Sequence, residues 1–294
     1  MKSDKHFPLF AFMALLSGGV AIGFAGIFMR LSDVSPLASA FWRMALAAPL
    51  LWAWAFAIRR QDVQSGKSTD FARVLALAGI YFAGDIGVWH LSLHYTTVSN
   101  ATLLSNFAPV FIALWMWWAH KVRFARVFVV GLVIALAGAV MLVEPNAGGR
   151  GNAGGHKLLG DAFGLLSAVF YAAYQLVVKD GRDRYSTARL MAWSTTVTGL
   201  ALLPFALVSP GPFLPLQAAG WLPLLALALV AQIGGQTVIA YAFAHLPASL
   251  SSVSLLIQPL TATIAAWILF SEALGPVQMA GGVLLLWGIY LSKR

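Results

Sequence analysis

Arg43 and Asp85 are the two formally charged residues set well inside long apolar runs of a chain that is 60% hydrophobic and 10% charged. A charge at membrane depth costs roughly 2.5–3.5 kcal/mol on insertion scales, so each needs a partner or water. Asp85 suits two roles: a proton or cation site for coupling, or a structural partner of Arg43, a backbone group or a histidine. Arg43 reads first as a structural charge. His90 follows Asp85 by five residues, beside Trp89. It can titrate near neutral pH or donate hydrogen bonds, although five residues turn a helix by about 140°, so it need not share a face with Asp85.

Neutral polar residues recur at helical intervals. Ser251, Ser254, Gln258 and Thr261 form one stripe, Thr102, Ser105, Asn106 and Pro109 another, and Gln232 and Gln236 stand four apart. Such groups line a hydrated cavity or bond neighbouring helices. The amides of Asn106, Gln232 and Gln258 are costly to leave unpaired in hydrocarbon. Tyr171 and Tyr174 are three apart, with Ser167 one turn earlier, a face that could stack on a substrate side chain. The candidate substrate-binding set is therefore Trp89, His90, Asn106, Tyr171, Tyr174, Gln232, Ser254 and Gln258. Pro109 and Pro259 each remove a helix hydrogen bond, onto the carbonyls of Ser105 and Leu255, and are candidate hinges.

The elements that must position these residues are membrane helices. Phe7 to Met29 is a run of 23 uncharged residues, enough to cross the roughly 30 Å hydrocarbon core. Lys2 and Lys5 before it imitate a signal peptide, but the run exceeds the roughly 7–15 residues of a signal h-region, and we read an uncleaved span. Interruptions by charge, proline and glycine divide the chain into ten spans. They lie near Phe7–Met29, Val34–Ile58, Val74–His94, Val98–Ala119, Val127–Val143, Leu158–Val178, Leu190–Val208, Trp221–Phe243, Ala248–Phe270 and Gly275–Leu291. On that count fifteen of the 19 lysines and arginines fall on one side and three on the other, with Arg43 inside a span. Short cytoplasmic loops carry the positive excess, so both termini are expected in the cytoplasm. The net charge of +9 is accounted for by topology, with no basic surface for nucleic acid. Absence of cysteine excludes disulfides and thiolate chemistry.

An offset of 150 residues aligns the halves: Ser17 with Ser167, Ser99 with Ser249, Pro109 with Pro259, Gly131 with Gly281 and Gly138 with Gly288. Five spans per copy is odd, so the second copy enters from the opposite side and a pseudo-two-fold axis lies in the membrane plane. The chain reads as an all-α integral membrane protein of two inverted five-helix repeats, residues 1–145 and 157–294, joined by a glycine-rich link at 146–156 expected outside the cell. The link lacks the Gly-Lys-Ser/Thr of a phosphate loop. Gly19 and Gly23 fit the small-xxx-small pattern of close helix packing.

The segment Leu93-His94-Tyr95-Thr96-Thr97-Val98-Ser99-Asn100-Ala101, leading to Pro109-Val110-Phe111, resembles the third-to-fourth helix signature of the drug/metabolite transporter superfamily with duplicated EamA domains. The second copy has Leu246-Pro247-Ala248-Ser249, Gln258-Pro259-Leu260, Phe270-Ser271-Glu272-Ala273-Leu274 and Gly281-Gly282. The resemblance implies a ten-helix exporter of small metabolites working by alternating access without ATP. Abundant tryptophan and the Trp89-His90 pair are similar to the YddG-type exporters of aromatic amino acids. Where the fourth helix usually closes on an acid this chain has Lys121, while Glu272 keeps the acid in the second copy.

These observations lead to a secondary transporter of the cell inner membrane that exports aromatic and other neutral amino acids through a cavity between the copies, with no cofactor or metal. A zwitterion carries no net charge, in keeping with few buried charges. Apolar or quaternary ammonium drugs would also suit an aromatic cavity. An integral membrane enzyme would need a nucleophile-base or metal constellation, and the six histidines are scattered. A channel would need a filter, and none is legible. The expected partners are a small-molecule substrate and the bilayer, and a monomer is compatible with the pattern.

Overall fold

The computed structural model describes residues 8–58, 68–96, 98–143, 157–271 and 274–293; the link at 146–156 and Glu272 lie outside them. Every regular element among the described residues is helical. In chain order these are α1 (Leu9–Gly23), α2 (Ala25–Leu31), α3 (Pro36–Ala57), α4 (Ser68–Tyr95), α5 (Val98–Ser105), α6 (Ala108–His120) and α7 (Arg126–Val143). The second half holds α8 (Lys157–Arg182), α9 (Thr187–Val208), α10 (Trp221–Ala226), a π-helical segment Leu227–Gln236, α11 (Thr237–Phe243), α12 (Ala248–Ser254), α13 (Ile257–Phe270) and α14 (Pro276–Ser292). Eight stretches among the described residues are long and apolar enough to cross a membrane, and Arg126–Leu142 and Pro276–Ser292 are shorter apolar helices.

Four of the expected continuous spans are broken. The first turns at Phe24, between α1 and α2. The fourth and ninth break just before Pro109 and Pro259, because proline cannot donate to the carbonyl four residues back. At the second break Gln258 N–H takes over the Leu255 carbonyl at 3.0 Å. The eighth passes through the π segment, whose i→i+5 bonding is rare and concentrates at functional sites.

The two proline breaks and the caps that follow them obey the 150-residue offset, whereas the turn at Phe24 and the π segment correspond to continuous stretches of α8 and α4. Lys121 and Ser271, 150 apart, end α6 and α13 with φ of 53° and 55°, the positive-φ non-glycine residues among those described. Glycine makes the central contact possible. A Cβ on Gly131 would lie 2.8 Å from the Gly288 carbonyl oxygen, and one on Gly138 would lie 2.5 Å from that of Gly281. Residue numbers rise on α7 as they fall on α14, so the two helices are antiparallel, and each contact is the image of the other. Gly19 and Gly23 of α1 likewise admit Ile257 and Thr261 of α13, here with numbers rising together, a parallel pair.

Large apolar side chains face outward, among them Phe10, Leu158 and Val208, the last 81% exposed. The interior holds apolar residues such as Leu15, Met44 and Phe243 together with polar ones, including Ser167, Thr195, Gln232 and Ser251. This is the pattern of a bundle whose solvent is hydrocarbon, where packing and interhelical hydrogen bonds replace a hydrophobic drive.

Candidate functional site

The helix breaks open the bundle. A cavity of about 720 Å³ is walled by the second half of α1 with α2, the start of α3, the second half of α4, the end of α5, Tyr171 of α8, the π segment and the start of α13. It occupies the half of the bundle that carries the α2–α3 turn, with Arg30 and Pro36 at its wall. The cavity is of the size that takes small organic ligands.

Three formally charged residues line it, Arg30 in the wall beside the α2–α3 turn and, opposite in sign to one another, Arg43 and Asp85. Arg43 Nε donates to Gln232 Oε1 at 3.0 Å, and Gln232 Nε2 donates to Thr195 Oγ1 at 2.9 Å. The guanidinium carbon lies 5.6 Å from the centre of the Phe82 ring. Asp85 Oδ1 accepts from Ser167 Oγ at 2.6 Å. The two opposite charges do not form an ion pair with one another, whereas Lys179 pairs with Asp183 and Arg184 with Asp180. Arg43 and Asp85 are thus each held by a neutral partner on another helix. Ser17, the counterpart of Ser167 in the first copy, bonds only the Ala14 carbonyl.

Aromatic rings close the inner end of the cavity. Phe82 stacks on Tyr174 with centroids 4.6 Å apart, and Tyr174 lies parallel to Tyr171 at 6.2 Å. Gln236 Nε2 donates to Tyr174 Oη at 3.3 Å and Gln258 Nε2 to Tyr171 Oη at 3.2 Å, fixing the stack from two helices. Beyond it a void of about 10 Å³, lined by Ser105, Asn106, Pro109, Gln175, Ser252 and Leu256 among others, lies where the two proline breaks meet. On the outer wall Trp89 packs edge-on to His90 at 5.0 Å, and His90 Nδ1 donates to the Ile86 carbonyl at 2.7 Å.

The structure brings Arg43, Asp85, Trp89, His90, Asn106, Tyr171, Gln258 and Pro259 to one cavity wall. Asp85 and His90 both reach it despite their angular offset. Four other candidates stand elsewhere. Gln232, 1% exposed, lies behind Arg43; Tyr174 lies beneath the floor; Ser254 is buried and bonds the Leu250 carbonyl; Pro109 lines the small void. The wall also holds Phe82, Thr102, Ser105 and Gln236. Gln236 was signalled by its spacing from Gln232, but the two do different work, one at the wall and one behind it. Among the described residues no group of three or more histidines and carboxylates could hold a metal ion.

A curated relative, an uncharacterised transporter of Archaeoglobus fulgidus, is 28% identical over 99% of this chain and 98% of its own. A pseudopaline exporter of Pseudomonas aeruginosa is 24% identical over 72% of each chain. A probable terminal-alkyne amino-acid exporter of Streptantibioticus cattleyicolor is 27% identical over 76% of this chain and 74% of its own. One solved crystal structure has the same fold, with a TM-score of 0.79 at 17% identity and 96% of each chain covered. The solute carrier family 35 profile matches residues 84–208. The profile of the EamA-like transporter family matches twice in succession, over residues 9–144 and 158–294, and the chain, a multi-pass helical protein with a cavity where its helices break, belongs to that family.

Proposed function

We propose that the chain is a secondary transporter of the cell inner membrane that exports aromatic and other neutral amino acids by alternating access. In this reading it has ten spans in two inverted repeats, residues 1–145 and 157–294, with both termini cytoplasmic. The shorter apolar helices, Arg126–Leu142 and Pro276–Ser292, complete the count of ten. The cavity then opens toward the periplasm, the outward-facing state, and the Phe82–Tyr174–Tyr171 stack bars the cytoplasmic path.

The cavity carries this reading. Amides, hydroxyls, aromatic rings and the opposite charges of Arg43 and Asp85, with Arg30 as a further cation in the wall, suit a small zwitterion with an apolar side chain better than a metal complex. An amino-acid exporter among the relatives agrees with the substrate class. Absence of a phosphate-loop motif in the sequence supports a carrier driven by gradients.

Counterflow in proteoliposomes tests it. Vesicles are loaded with unlabelled phenylalanine, tryptophan, threonine or a quaternary ammonium cation, and uptake of the labelled compound is followed. Saturable, accelerated exchange of the amino acids is expected. Exchange of the cation alone would move the substrate to cationic drugs, and no exchange by folded protein, or single-channel currents, would overturn the carrier reading.

A further inference from the structure

Arg43 and Asp85 are both committed to the cavity, yet neither spends its whole charge on the protein. Arg43 uses Nε for Gln232, and Asp85 uses Oδ1 for Ser167. Among the described residues no hydrogen bond occupies the two terminal guanidinium nitrogens or Asp85 Oδ2. Two opposite charges in one cavity wall attract one another. Here they are held apart. The guanidinium sits over Phe82, three residues before Asp85 on α4, and so about one turn along that helix from the carboxylate. The Gln232–Thr195 chain fixes the cation and Ser167 fixes the anion.

Resting on the amino-acid reading above, we infer that Arg43 receives the α-carboxylate of the substrate and Asp85 its α-ammonium, so that the site selects α-amino acids over amines and over acids. Arg43 and Asp85 are not ion-paired, which leaves room for a ligand between them. With N–Cα and Cα–C bonds near 1.5 Å, an α-ammonium nitrogen lies about 2.5 Å from the carboxyl carbon. A carboxylate oxygen lies up to about 3.6 Å from that nitrogen, so one charge-assisted hydrogen bond of about 2.8 Å at each end can join receiving groups up to about 9 Å apart. Direct ion pairing would close that gap, and the separate anchors prevent it. Trp89, Phe82 and Tyr171 in the same wall are left for the side chain. Gln232 and Ser167 are positioning residues, acting through the two charges.

The test compares three ligands that share one ring: phenylalanine, phenethylamine, which lacks the carboxylate, and 3-phenylpropionate, which lacks the ammonium. In counterflow the wild-type protein prefers phenylalanine to either analogue by about 10- to 100-fold, the scale of one charged hydrogen bond. Arg43→Gln lowers the phenylalanine-to-phenethylamine ratio at least tenfold and leaves the phenylalanine-to-phenylpropionate ratio in place; Asp85→Asn does the reverse. Where a variant no longer exchanges, the same ratios are read from calorimetric binding to purified protein. Should Arg43→Gln fail to fold, Gln232→Leu loosens the same cation and shifts the same ratio. Equal change of both ratios in both variants, or no change in either, overturns the assignment while wild-type exchange of phenylalanine keeps the transporter reading. Wild-type protein that exchanges no amino acid overturns both.

Discussion

Gly288→Ala tests the crossing of α7 and α14 that joins the two copies. A methyl there would stand 2.6 Å from the Gly131 carbonyl oxygen and 2.7 Å from Ala135 Cα. An ordinary carbon–oxygen contact is about 3.3–3.6 Å, so the backbones must part by roughly 0.7–1 Å. Nothing flexible can yield, because these two obstacles and the Ala135 amide nitrogen, nearer still, are all main chain, and overpacking of this kind costs about 1–3 kcal/mol. Gly87→Ala supplies the control. It has nothing within 4 Å of its added methyl and lies inside α4, where alanine gains up to about 1 kcal/mol of helix propensity. Gly288 lies inside α14 and gains the same propensity, so the two variants should differ by the overpacking alone, about 1–3 kcal/mol, or roughly 2–12 °C in unfolding temperature at about 2–4 °C per kcal/mol. Thermal unfolding in detergent, followed by tryptophan fluorescence, reads the difference. Gly131→Ala should behave like Gly288→Ala. The double variant should cost less than the sum, since one separation relieves both clashes. Equal stability of Gly288→Ala and Gly87→Ala would show that the copies are not joined by backbone contact here.

Other consequences follow from the site and the topology. Ser167→Ala removes the 2.6 Å donor to Asp85 and should weaken the apparent affinity for phenylalanine about tenfold, whereas Ser17→Ala at the equivalent place in the first copy should change nothing; matched affinities would detach Asp85 from the substrate. Trp89→Ala should cost phenylalanine and tryptophan about two- to tenfold relative to threonine in counterflow, the scale of one aromatic contact, and a uniform loss would count against a side-chain role. The cysteine-free chain suits impermeant thiol labelling: Gln217→Cys should react in intact cells and Asp183→Cys only after permeabilisation, the reverse pattern refuting the orientation. Ser252→Cys, at a position 1% exposed in this structure, should become reactive from the cytoplasmic side only as substrate is exchanged.

Much of the fold is legible in the sequence for one reason. A chain in hydrocarbon must satisfy its backbone within each helix, so length, apolarity and the placement of charge restrict the options to a few. The repeat is legible at prolines and glycines because those residues do backbone work that other letters cannot: Pro109 and Pro259 force breaks, and Gly131, Gly138, Gly281 and Gly288 admit a neighbouring main chain. The π segment has no such mark. Its apolar letters suit α and π geometry equally, and what accompanies the altered bonding is tertiary, the close approach of Gly235 to Gly18 and Ile22 of α1. The site is legible by residue type and obscure by pairing. Asp85 is conspicuous as a membrane charge, but its partner is a serine 82 residues away, and Arg43 is held by an amide 189 residues away. Spacing along one helix cannot find partners on another, which is why Gln232 and Tyr174 read as wall residues and stand behind it.

The two copies share a pattern and differ in its use. Thr102, Ser105 and Asn106 beside the α5–α6 break line the cavity, while their counterparts at an offset of 150, Ser252, Leu255 and Leu256 at the α12–α13 break, are buried. The helices that follow the two breaks end on the same left-handed cap, at Lys121 and Ser271, so the backbone pattern is shared. The proposed inverted relation accounts for the difference. On the alternating-access reading the two copies would open in turn and not together, and the small void lined by Asn106 and Ser252 lies between the two breaks. A repeat in the sequence therefore encodes both arrangements at once and names neither. The choice made here rests on contacts with no image in the other copy, Ser167 on Asp85 and Gln258 on Tyr171, and these are the contacts a substrate or a change of state would have to exchange.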